Sequence, residues 1–294
     1  MIENCHLCPR NCGVRRDETA GNGFCGMGAN PVVARAALHF WEEPCISGTR
    51  GSGTVFFTGC SLKCVFCQNY QISTQKSVGK SVSVTQLADI FQRLIEQGAH
   101  NINLVNPTHF ASMIAEALKL RPISVPVVYN SGGYESLETL KMLDGLVDIY
   151  LPDLKYADND LGKKYSGAAD YFAVASAAIL EMANQTGAAQ FDSDGILQRG
   201  TIVRHLILPG NTRNSIAVLN WLKSNLPQGV LVGLMAQYIP CGKALDYPEI
   251  NRKITRREFE KVQNCLFDLG LDGFVQDLSS AKLSFIPPFN LEGV

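Results

Sequence analysis

Three cysteines, Cys60, Cys64 and Cys67, lie in one short stretch with the spacing C-x3-C-x2-C. They directly follow the apolar run 54–58, which is typical of a buried strand. An iron–sulfur cube is commonly held by four thiolates. Three clustered cysteines without a nearby fourth would leave one iron open, and an open metal position is what catalysis requires. The alternatives are a structural zinc site that borrows a distant cysteine, or three unrelated buried thiols.

A second group of cysteines lies near the N-terminus. Cys5, Cys8, Cys12 and Cys25 have the spacing C-x2-C-x3-C-x12-C. Four thiolates close a tetrahedral metal site, and a segment so poor in core residues needs such a link to become ordered. Zinc is modestly favoured over an auxiliary [4Fe–4S] cluster, but the spacing does not decide between them. The alternative is a set of free cysteines in a flexible arm.

The composition excludes several classes of protein. Hydrophobic residues are 46% and charged residues 18%, which is typical of a soluble globular enzyme. The formal net charge of −1 indicates no nucleic-acid partner, and no apolar run approaches the ~20 residues that span a bilayer. Ten cysteines without a secretory signal indicate metal ligands or reduced thiols. We therefore expect a cytoplasmic protein with no membrane partner.

From residue 54 onward, strand-like and helix-like runs alternate six times. The predicted strands are 54–59, 101–106, 125–130, 147–152, 201–208 and 230–236, and the predicted helices are 85–97, 109–119, 135–144, 169–187, 213–224 and 255–268. Thr85 is the predicted N-cap of the first helix. Six β-α units predict an α/β fold with a parallel sheet and right-handed crossovers. A closed eight-unit barrel typically needs ~250 residues, so the pattern favours a partial (β/α)6 barrel.

Two domains follow from this pattern. Residues 1–50 form the Cys-rich N-terminal metal-binding segment and an extended lead-in, and residues 51–294 form the partial barrel with an irregular C-terminal strap at 285–289. Residues that come just after parallel strands share one edge of the sheet. The polar residues at that edge, besides the cysteine loop, are Thr108, Asn130, Asp153, Lys155, Arg204 and Gln237.

Each of these strand-end residues also has a purely structural interpretation. Thr108 can serve as a helix N-cap. Asp153 and Lys155 can form an exposed ion pair of little energetic weight. Gly132 and Gly133, which follow the third strand, can simply make a turn. Their shared location favours a functional role.

From Cys5 to near residue 290 the chain resembles the radical S-adenosylmethionine (SAM) superfamily, and within it the pyruvate formate-lyase-activating-enzyme-like proteins. The three-cysteine motif, with Phe66 just before its last cysteine, is specific to the superfamily, whereas Gln68-Asn69-Tyr70 after it is one of the stretches that resemble the subgroup. The stretches that resemble the subgroup are the N-terminal cysteine group, 51–57, 128–130, 153–156, 208–210 and 234–238.

The resemblance implies that Cys60, Cys64 and Cys67 bind three irons of a [4Fe–4S] cluster and that SAM chelates the fourth. One electron from the cluster then cleaves SAM to methionine and a 5′-deoxyadenosyl radical, which abstracts hydrogen from a substrate. The predicted SAM contacts are Phe66 and Asn69 at the adenine, Asn130 at the ribose or backbone, Asp153, Lys155 and Arg204 near the methionyl group, and Gln237 at the end of the sixth strand.

The sequence departs from the superfamily pattern after the second strand. Many members have a Gly-Gly-Glu motif there that grips the SAM amino group, whereas this chain has Asn106-Pro107-Thr108-His109. The stretch 132–135, Gly-Gly-Tyr-Glu, is similar but follows the third strand. Thr108 is therefore the predicted substitute ligand of the amino group.

Three functions are compatible with these residues. The first is hydrogen abstraction from a backbone glycine of a partner, a glycyl radical enzyme, with an electron donor such as flavodoxin or ferredoxin. The second is radical SAM chemistry on a small molecule or another peptide, which a deep enclosed pocket would favour. The third is a non-enzymatic iron–sulfur or zinc scaffold or redox carrier, which would not bind SAM.

Overall fold

One mixed sheet runs through the chain from residue 32 to residue 275. The structure is a computed structural model that describes residues 1–19 and 21–294, without the side chain of Leu283. The strands in the described residues are β1 Val32–His39, β2 Ser52–Phe57, β3 Lys80–Ser81, β4 Ile102–Val105, β5 Val127–Ser131, β6 Ile149–Pro152, β7 Gln190–Phe191, β8 Leu197–Leu206, β9 Leu231–Met235 and β10 Gly273–Val275. Their order across the sheet is β10-β9-β8-β6-β5-β4-β2-β1-β3, with β7 paired to β8.

The six predicted strands form the centre of this sheet. They correspond to β2, β4, β5, β6, β8 and β9, and every neighbouring pair among them is parallel. All residues of β2, β4, β5 and β6 are buried, as expected for parallel strands that are covered on both faces. The mostly parallel sheet confirms the predicted α/β fold class.

Helices cover this sheet, and most follow their predicted ranges closely. The helices are α1 Pro44–Ser47, α2 Tyr70–Ser73, α3 Val84–Glu96, α4 Ala111–Leu120, α5 Leu137–Leu143, α6 Asn159–Ser166, α7 Tyr171–Thr186, α8 Thr212–Asn225 and α9 Arg256–Asp268. The prediction that Thr85 caps α3 is wrong. Ser83 is the N-cap and forms a reciprocal capping box with Gln86, which satisfies two backbone donors that would otherwise lack partners.

The hydrophobic core lies between the sheet and the helices. Phe57, Phe91, Phe110, Tyr129 and Tyr150 are buried together on the side of α3, α4 and α5. Each such side chain contributes roughly 1.5–3 kcal/mol of transfer free energy when it is fully buried. This packing holds the strands in register, so the residues at their C-terminal ends have fixed positions.

The lead-in and the C-terminal residues complete one edge of the sheet. The predicted extended lead-in contains β1, which is antiparallel to β2. The chain's last residues pair with β1, since Leu291 N donates to Ala34 O at 3.0 Å and Ala36 N donates to Glu292 O at 2.9 Å. Phe289 packs edge-on against Phe56, with ring centroids 5.5 Å apart. The C-terminal segment therefore crosses β1 as a strap.

Among the described residues, every helix is too short or too polar to cross a membrane.

Candidate functional site

The loop between β2 and α2 carries the three clustered cysteines. Cys60, Cys64 and Cys67 are each half-buried, and every sulfur has a polar neighbour. Such contacts stabilise sulfur in its charged, metal-binding form. The partners are Leu62 N, which donates to Cys60 Sγ at 3.3 Å, Ser166 Oγ, 3.0 Å from Cys64 Sγ, and Ser73 Oγ, which donates to Cys67 Sγ at 3.2 Å.

The protonation of these thiols bears on whether they fit a cluster. Burial raises the pKa of Cys67 to about 11 and also raises the pKa of Cys60, and the neighbouring Cys64 adds to both shifts. The thiols are therefore close enough to interact, and their ionisation needs a cation to compensate for burial. Within residues 1–19 and 21–294 no three His, Cys, Asp or Glu side chains converge on a single-ion site. Three half-buried thiols in one loop, each with a polar partner, fit a four-iron cluster that takes three thiolates.

A cavity of about 220 Å³ opens beside the cysteine loop. Cys64 and Cys67 line it, together with seven of the residues predicted to contact SAM. Those seven are Phe66, Asn69, Asn130, Asp153, Lys155, Arg204 and Gln237. The cavity thus joins the C-terminal ends of β2, β5, β6, β8 and β9, as the strand-end pattern predicts.

Arg204 is the centre of a polar network in this cavity. Its Nε donates to Asp153 Oδ1 at 3.1 Å, and its other nitrogens donate to Glu42 Oε2 at 3.1 Å and Asn130 Oδ1 at 2.6 Å. Lys155 Nζ donates to the second oxygen of Asp153. Burial alone would raise the pKa of Asp153, but Lys155 and Arg204 outweigh it and hold the pKa below its usual value.

The structural interpretation of Asp153 and Lys155 as an exposed ion pair does not describe this pair. Their side chains retain only 14% and 15% exposure. Lys155 uses one of its three donors on Asp153, so two donors remain for a ligand. The pair can therefore offer both an acceptor and a cation to a charged, amino-acid-like group.

Thr108 lies elsewhere. It is buried, is not part of the cavity lining, and its Oγ1 donates to Glu135 Oε1 at 2.7 Å. Tyr129 Oη donates to the other carboxyl oxygen at 3.1 Å. Burial raises the pKa of Glu135 to about 7 although these donors lower it. In this arrangement the hydroxyl of Thr108 supports the loop after β5 and does not face the cavity.

Several cavity residues were not predicted from the sequence. His39, Trp41 and Glu42 come from the end of β1, and Phe285, Ile286 and Pro287 come from the C-terminal strap. The signal that could have revealed the first group is the acidic pair Glu42-Glu43, which interrupts an otherwise apolar segment. Acidic residues inside an apolar segment are expected to be partly buried, and buried carboxylates usually form ion pairs.

The N-terminal cysteines form a second neighbourhood. Cys5 is buried, and Cys8, Cys12 and Cys25 are half-buried. Burial raises the pKa of Cys8 to about 12, with smaller contributions from Cys25 and Cys12. Burial also raises the pKa of Cys25, to which Cys5 and Cys12 contribute. The four thiols therefore lie in one region, although no three of them converge on a single-ion site among the described residues, and the metal predicted for them stays a prediction.

Comparisons with known proteins agree with this geometry. Residues 54–222, more than half of the chain, match the family described as the Radical SAM superfamily. A Methanocaldococcus jannaschii protein described as uncharacterized protein MJ0674 is 31% identical over 282 residues, covering 92% of this chain and 77% of that protein. The chain belongs to the radical SAM superfamily.

Solved structures show the same fold at low sequence identity. Streptococcus suis SuiB bound to S-adenosylmethionine has a TM-score of 0.52 and 12% identity, over 76% of this chain and 49% of SuiB. HydG, a maturase of the [FeFe]-hydrogenase, has a TM-score of 0.51 and 13% identity, over 79% of this chain and 53% of HydG. The chain spans about half the length of these proteins. The superfamily part of the predicted resemblance is thus confirmed, and the family implies a [4Fe–4S] cluster and SAM.

Proposed function

We propose that this protein is a radical SAM enzyme that holds a [4Fe–4S] cluster on Cys60, Cys64 and Cys67 and binds SAM in the adjoining cavity. One observation carries the proposal: Cys64 and Cys67 line the same cavity as seven residues predicted to contact SAM. When bound, the cluster and SAM together supply a 5′-deoxyadenosyl radical that abstracts hydrogen from a substrate.

The cavity's charged residues are suited to orient the methionyl group of SAM. Burial alone would lower the pKa of Lys155, but the carboxylate of Asp153 raises it above its usual value, so the ammonium stays protonated. Lys155 can therefore donate to a carboxylate, and Asp153 can accept from an amino group. Arg204 keeps Asp153 in place through the hydrogen bond from its Nε.

Aromatic residues and the strap provide the apolar part of the cavity. The ring of Phe66 lines the cavity and packs near the buried Tyr238, with 5.9 Å between the ring centroids, and an aromatic face of this kind suits a nucleobase. Phe285, Ile286 and Pro287 line another part of the cavity and shield that part from water.

The presence of the strap at the cavity supports a small molecule or short peptide as the substrate. The strap and the end of β1 both line the cavity, so a bulky partner would have less room beside them. SuiB, whose fold this chain shares, has been crystallised with a precursor peptide.

Activation of a glycyl radical enzyme is the second candidate. The sheet ends at β10 on one side and β3 on the other, and an open sheet leaves a side through which a glycine-bearing loop could enter. A glycyl radical detected by electron paramagnetic resonance on a candidate partner would support it. In either case a flavodoxin or ferredoxin is the proposed electron donor.

The N-terminal cysteines are proposed to hold a second metal, zinc or an auxiliary cluster. Support comes from the location of the four cysteines in one region and from Arg16, whose buried guanidinium donates to Cys5 Sγ at 3.5 Å. Metal analysis of Cys8→Ala against the wild type tests this proposal. We expect Cys8→Ala to lose the metal of the N-terminal cysteines and to keep the iron bound by Cys60, Cys64 and Cys67.

The experiment that tests the main proposal is spectroscopic. After anaerobic reconstitution and reduction, the paramagnetic resonance spectrum of the cluster is recorded with and without SAM. Because three thiolates leave one iron for SAM, adding SAM should change the spectrum. A scaffold or redox carrier predicts an identical spectrum in both samples, and that result would exclude the proposed function.

A further inference from the structure

A second cavity, of about 240 Å³, lies beside the first at the β9–β10 end of the sheet. The two cavities share five lining residues, among them Trp41, Arg204 and Gln237. The second cavity alone is lined by Glu43, Pro44, Gly233, Leu234, Phe274, Val275 and Gln276. A ligand in the second cavity would therefore lie directly next to a ligand in the first.

Glu43 is the unusual residue of this second cavity. Its Oε2 is buried and has no hydrogen-bond partner among the residues that the structure describes. Its Oε1 lies 3.2 Å from the point where a Cβ on Gly233 would stand, so the missing side chain of Gly233 leaves the space that the carboxyl group occupies. Burying a carboxyl oxygen without a partner costs free energy, which a ligand that donates a hydrogen bond would recover.

One cation and two other carboxylates act on Glu43. Arg204 attracts Glu43, while Glu42 and Asp153 repel it. The hydrogen bonds of Arg204, however, go to Glu42, Asp153 and Asn130. Glu43 is therefore the one carboxyl of this group that Arg204 leaves without a hydrogen bond.

The rest of the wall is part polar and part apolar. Glu42 and Arg204, which are paired with each other, line it together with Gln237 and Gln276. Trp41, Pro44, Phe274 and Val275 line the cavity, and the neighbouring strands β9 and β10 contribute no charged side chain to it. A pocket with an apolar wall and a carboxylate, Glu43, beside the paired Glu42 and Arg204 suits an organic cation with a hydrophobic body.

We propose that the second cavity is the substrate subsite and that it binds a protonated primary amine with an apolar body. The ammonium group donates to the carboxylate of Glu43, and the apolar body packs against Trp41 and Phe274. That the amine is the substrate rests on the proposed radical SAM function, whereas its binding does not.

Calorimetric titration of the full chain tests the binding, with benzylamine as the cationic probe and benzyl alcohol as its neutral analogue. Wild-type protein at pH 8 should bind the amine about tenfold more tightly than the alcohol, because a hydrogen bond to a charged partner is stronger. Glu43→Gln should remove this preference. Glu260→Gln, an exposed carboxyl on α9, is the matched control and should keep it.

A second variant, Trp41→Ala, tests the same cavity without changing Glu43, so the proposal can be tested even if Glu43→Gln does not fold. Trp41 is exposed, and Trp41→Ala should weaken the amine and the alcohol alike because it removes apolar wall only. Equal binding of the two probes to the wild type, or an amine preference that survives in Glu43→Gln, would overturn the proposal.

The pH dependence gives an independent readout. Burial raises the pKa of Glu43 to about 7 against the effect of Arg204, so the carboxylate forms near neutral pH. Amine affinity should therefore rise from pH 6 to pH 8, while alcohol affinity stays constant. Cys45, which also faces Glu43, remains a neutral thiol in this range because burial raises its pKa to about 12. An amine affinity that is flat in pH would contradict the assignment to Glu43.

Competition separates this subsite from the SAM site. Benzylamine should still bind when S-adenosylhomocysteine is present at a saturating concentration. If S-adenosylhomocysteine displaces benzylamine, the amine binds in the nucleoside site and the proposal is overturned. If the protein does not cleave SAM but still binds benzylamine through Glu43, the proposed radical SAM function is wrong and the amine-binding site is supported.

Discussion

Glu42 and Arg204 form an ion pair with 3.1 Å between Oε2 and the guanidinium, although 162 positions separate them in the chain. Their side chains are 11% and 12% exposed. The second oxygen of Glu42 accepts from the side chains of Asn103 and Asn130, both at 3.1 Å. This single carboxylate therefore ties the segment after β1 to β4, β5 and β8, and it shapes the cavity from a part of the chain outside the six predicted units.

Removing this carboxylate should destabilise the protein. Glu42→Ala leaves Arg204, Asn103 and Asn130 short of an acceptor, and breaking a largely buried ion pair costs about 3 kcal/mol. We expect that loss in the free energy of unfolding measured with urea, together with weaker SAM binding. Glu260→Ala, which removes an exposed pair with Arg256, should cost less than about 0.5 kcal/mol. Equal effects of the two variants would contradict the structural role of Glu42.

The loop after β5 depends on a glycine. Gly133 has φ +77°, and a Cβ there would overlap the carbonyl oxygen of Asp153. Gly133→Ala should cost about 3 kcal/mol, the sum of a left-handed backbone and a steric overlap.

Gly98→Ala is the matched control for this loop. Gly98 has φ +88° but no atom within 4 Å of the added Cβ. Only the backbone penalty of about 1–2 kcal/mol applies there. If urea denaturation gives the same loss for both variants, the close approach of Gly133 to Asp153 is not a constraint on this loop.

Glu135 should make stability depend on pH. Its folded-state pKa of about 7 is above the unfolded value near 4.5, so the folded protein holds the proton over a range in which the unfolded chain has lost it. Stability is then full below about pH 4.5 and falls as pH rises toward 7, by about 3 kcal/mol from this group. Glu135→Gln cannot titrate, so its decline with pH should be smaller by that amount.

Glu249→Gln serves as the control for this pH profile. A hydrogen bond from Lys164 lowers the pKa of Glu249 to about 2, so its contribution changes only below about pH 4.5. Urea unfolding between pH 5 and 7 should give the wild-type slope for Glu249→Gln and a shallower one for Glu135→Gln. The same slope in all three proteins would show that Glu135 is already ionised in the folded protein between pH 5 and 7.

Arg10 should stabilise the cluster loop. Its guanidinium donates to the carbonyl oxygens of Ser61 at 2.8 Å and Gly167 at 2.7 Å, and it lies 3.8 Å from the ring centre of Phe24. Arg10→Ala removes these links between the N-terminal segment and the loop, so reconstituted protein should lose iron about tenfold faster to a chelator. Arg15→Ala, which removes an exposed pair with Asp17, should lose iron at the wild-type rate. Identical rates for Arg10→Ala and the wild type would contradict this role.

The central sheet could be predicted from the sequence because its signals are local. The predicted strand 54–59 overlaps Ser52–Phe57, and the predicted helix 85–97 overlaps Val84–Glu96. Buried parallel strands are continuous apolar runs, and amphipathic helices repeat at their own period. Asn130, Asp153 and Arg204 follow from this order, since parallel strands bring their C-terminal ends together.

The remaining features depend on contacts that are distant in sequence. β1 is stabilised by β2 and by the last residues of the chain, so its own sequence shows only an extended segment. The hydroxyl of Thr108 turns toward the buried carboxyl of Glu135, a choice that only the packed loop after β5 determines. Glu42 and Trp41 reach the cavity because β1 joins the sheet, and no spacing rule within the six units includes them.

The most direct measurement of the central claim is the formation of 5′-deoxyadenosine. Anaerobically reconstituted protein is incubated with dithionite and SAM, and the product is quantified by mass spectrometry for the wild type, Cys64→Ala and Cys265→Ala. Cys265 is half-buried on α9, outside the lining of the cavity, so its variant controls for loss of any cysteine. We predict 5′-deoxyadenosine from the wild type and Cys265→Ala and none above background from Cys64→Ala; the same yield from Cys64→Ala as from the wild type would contradict a radical SAM site in this loop.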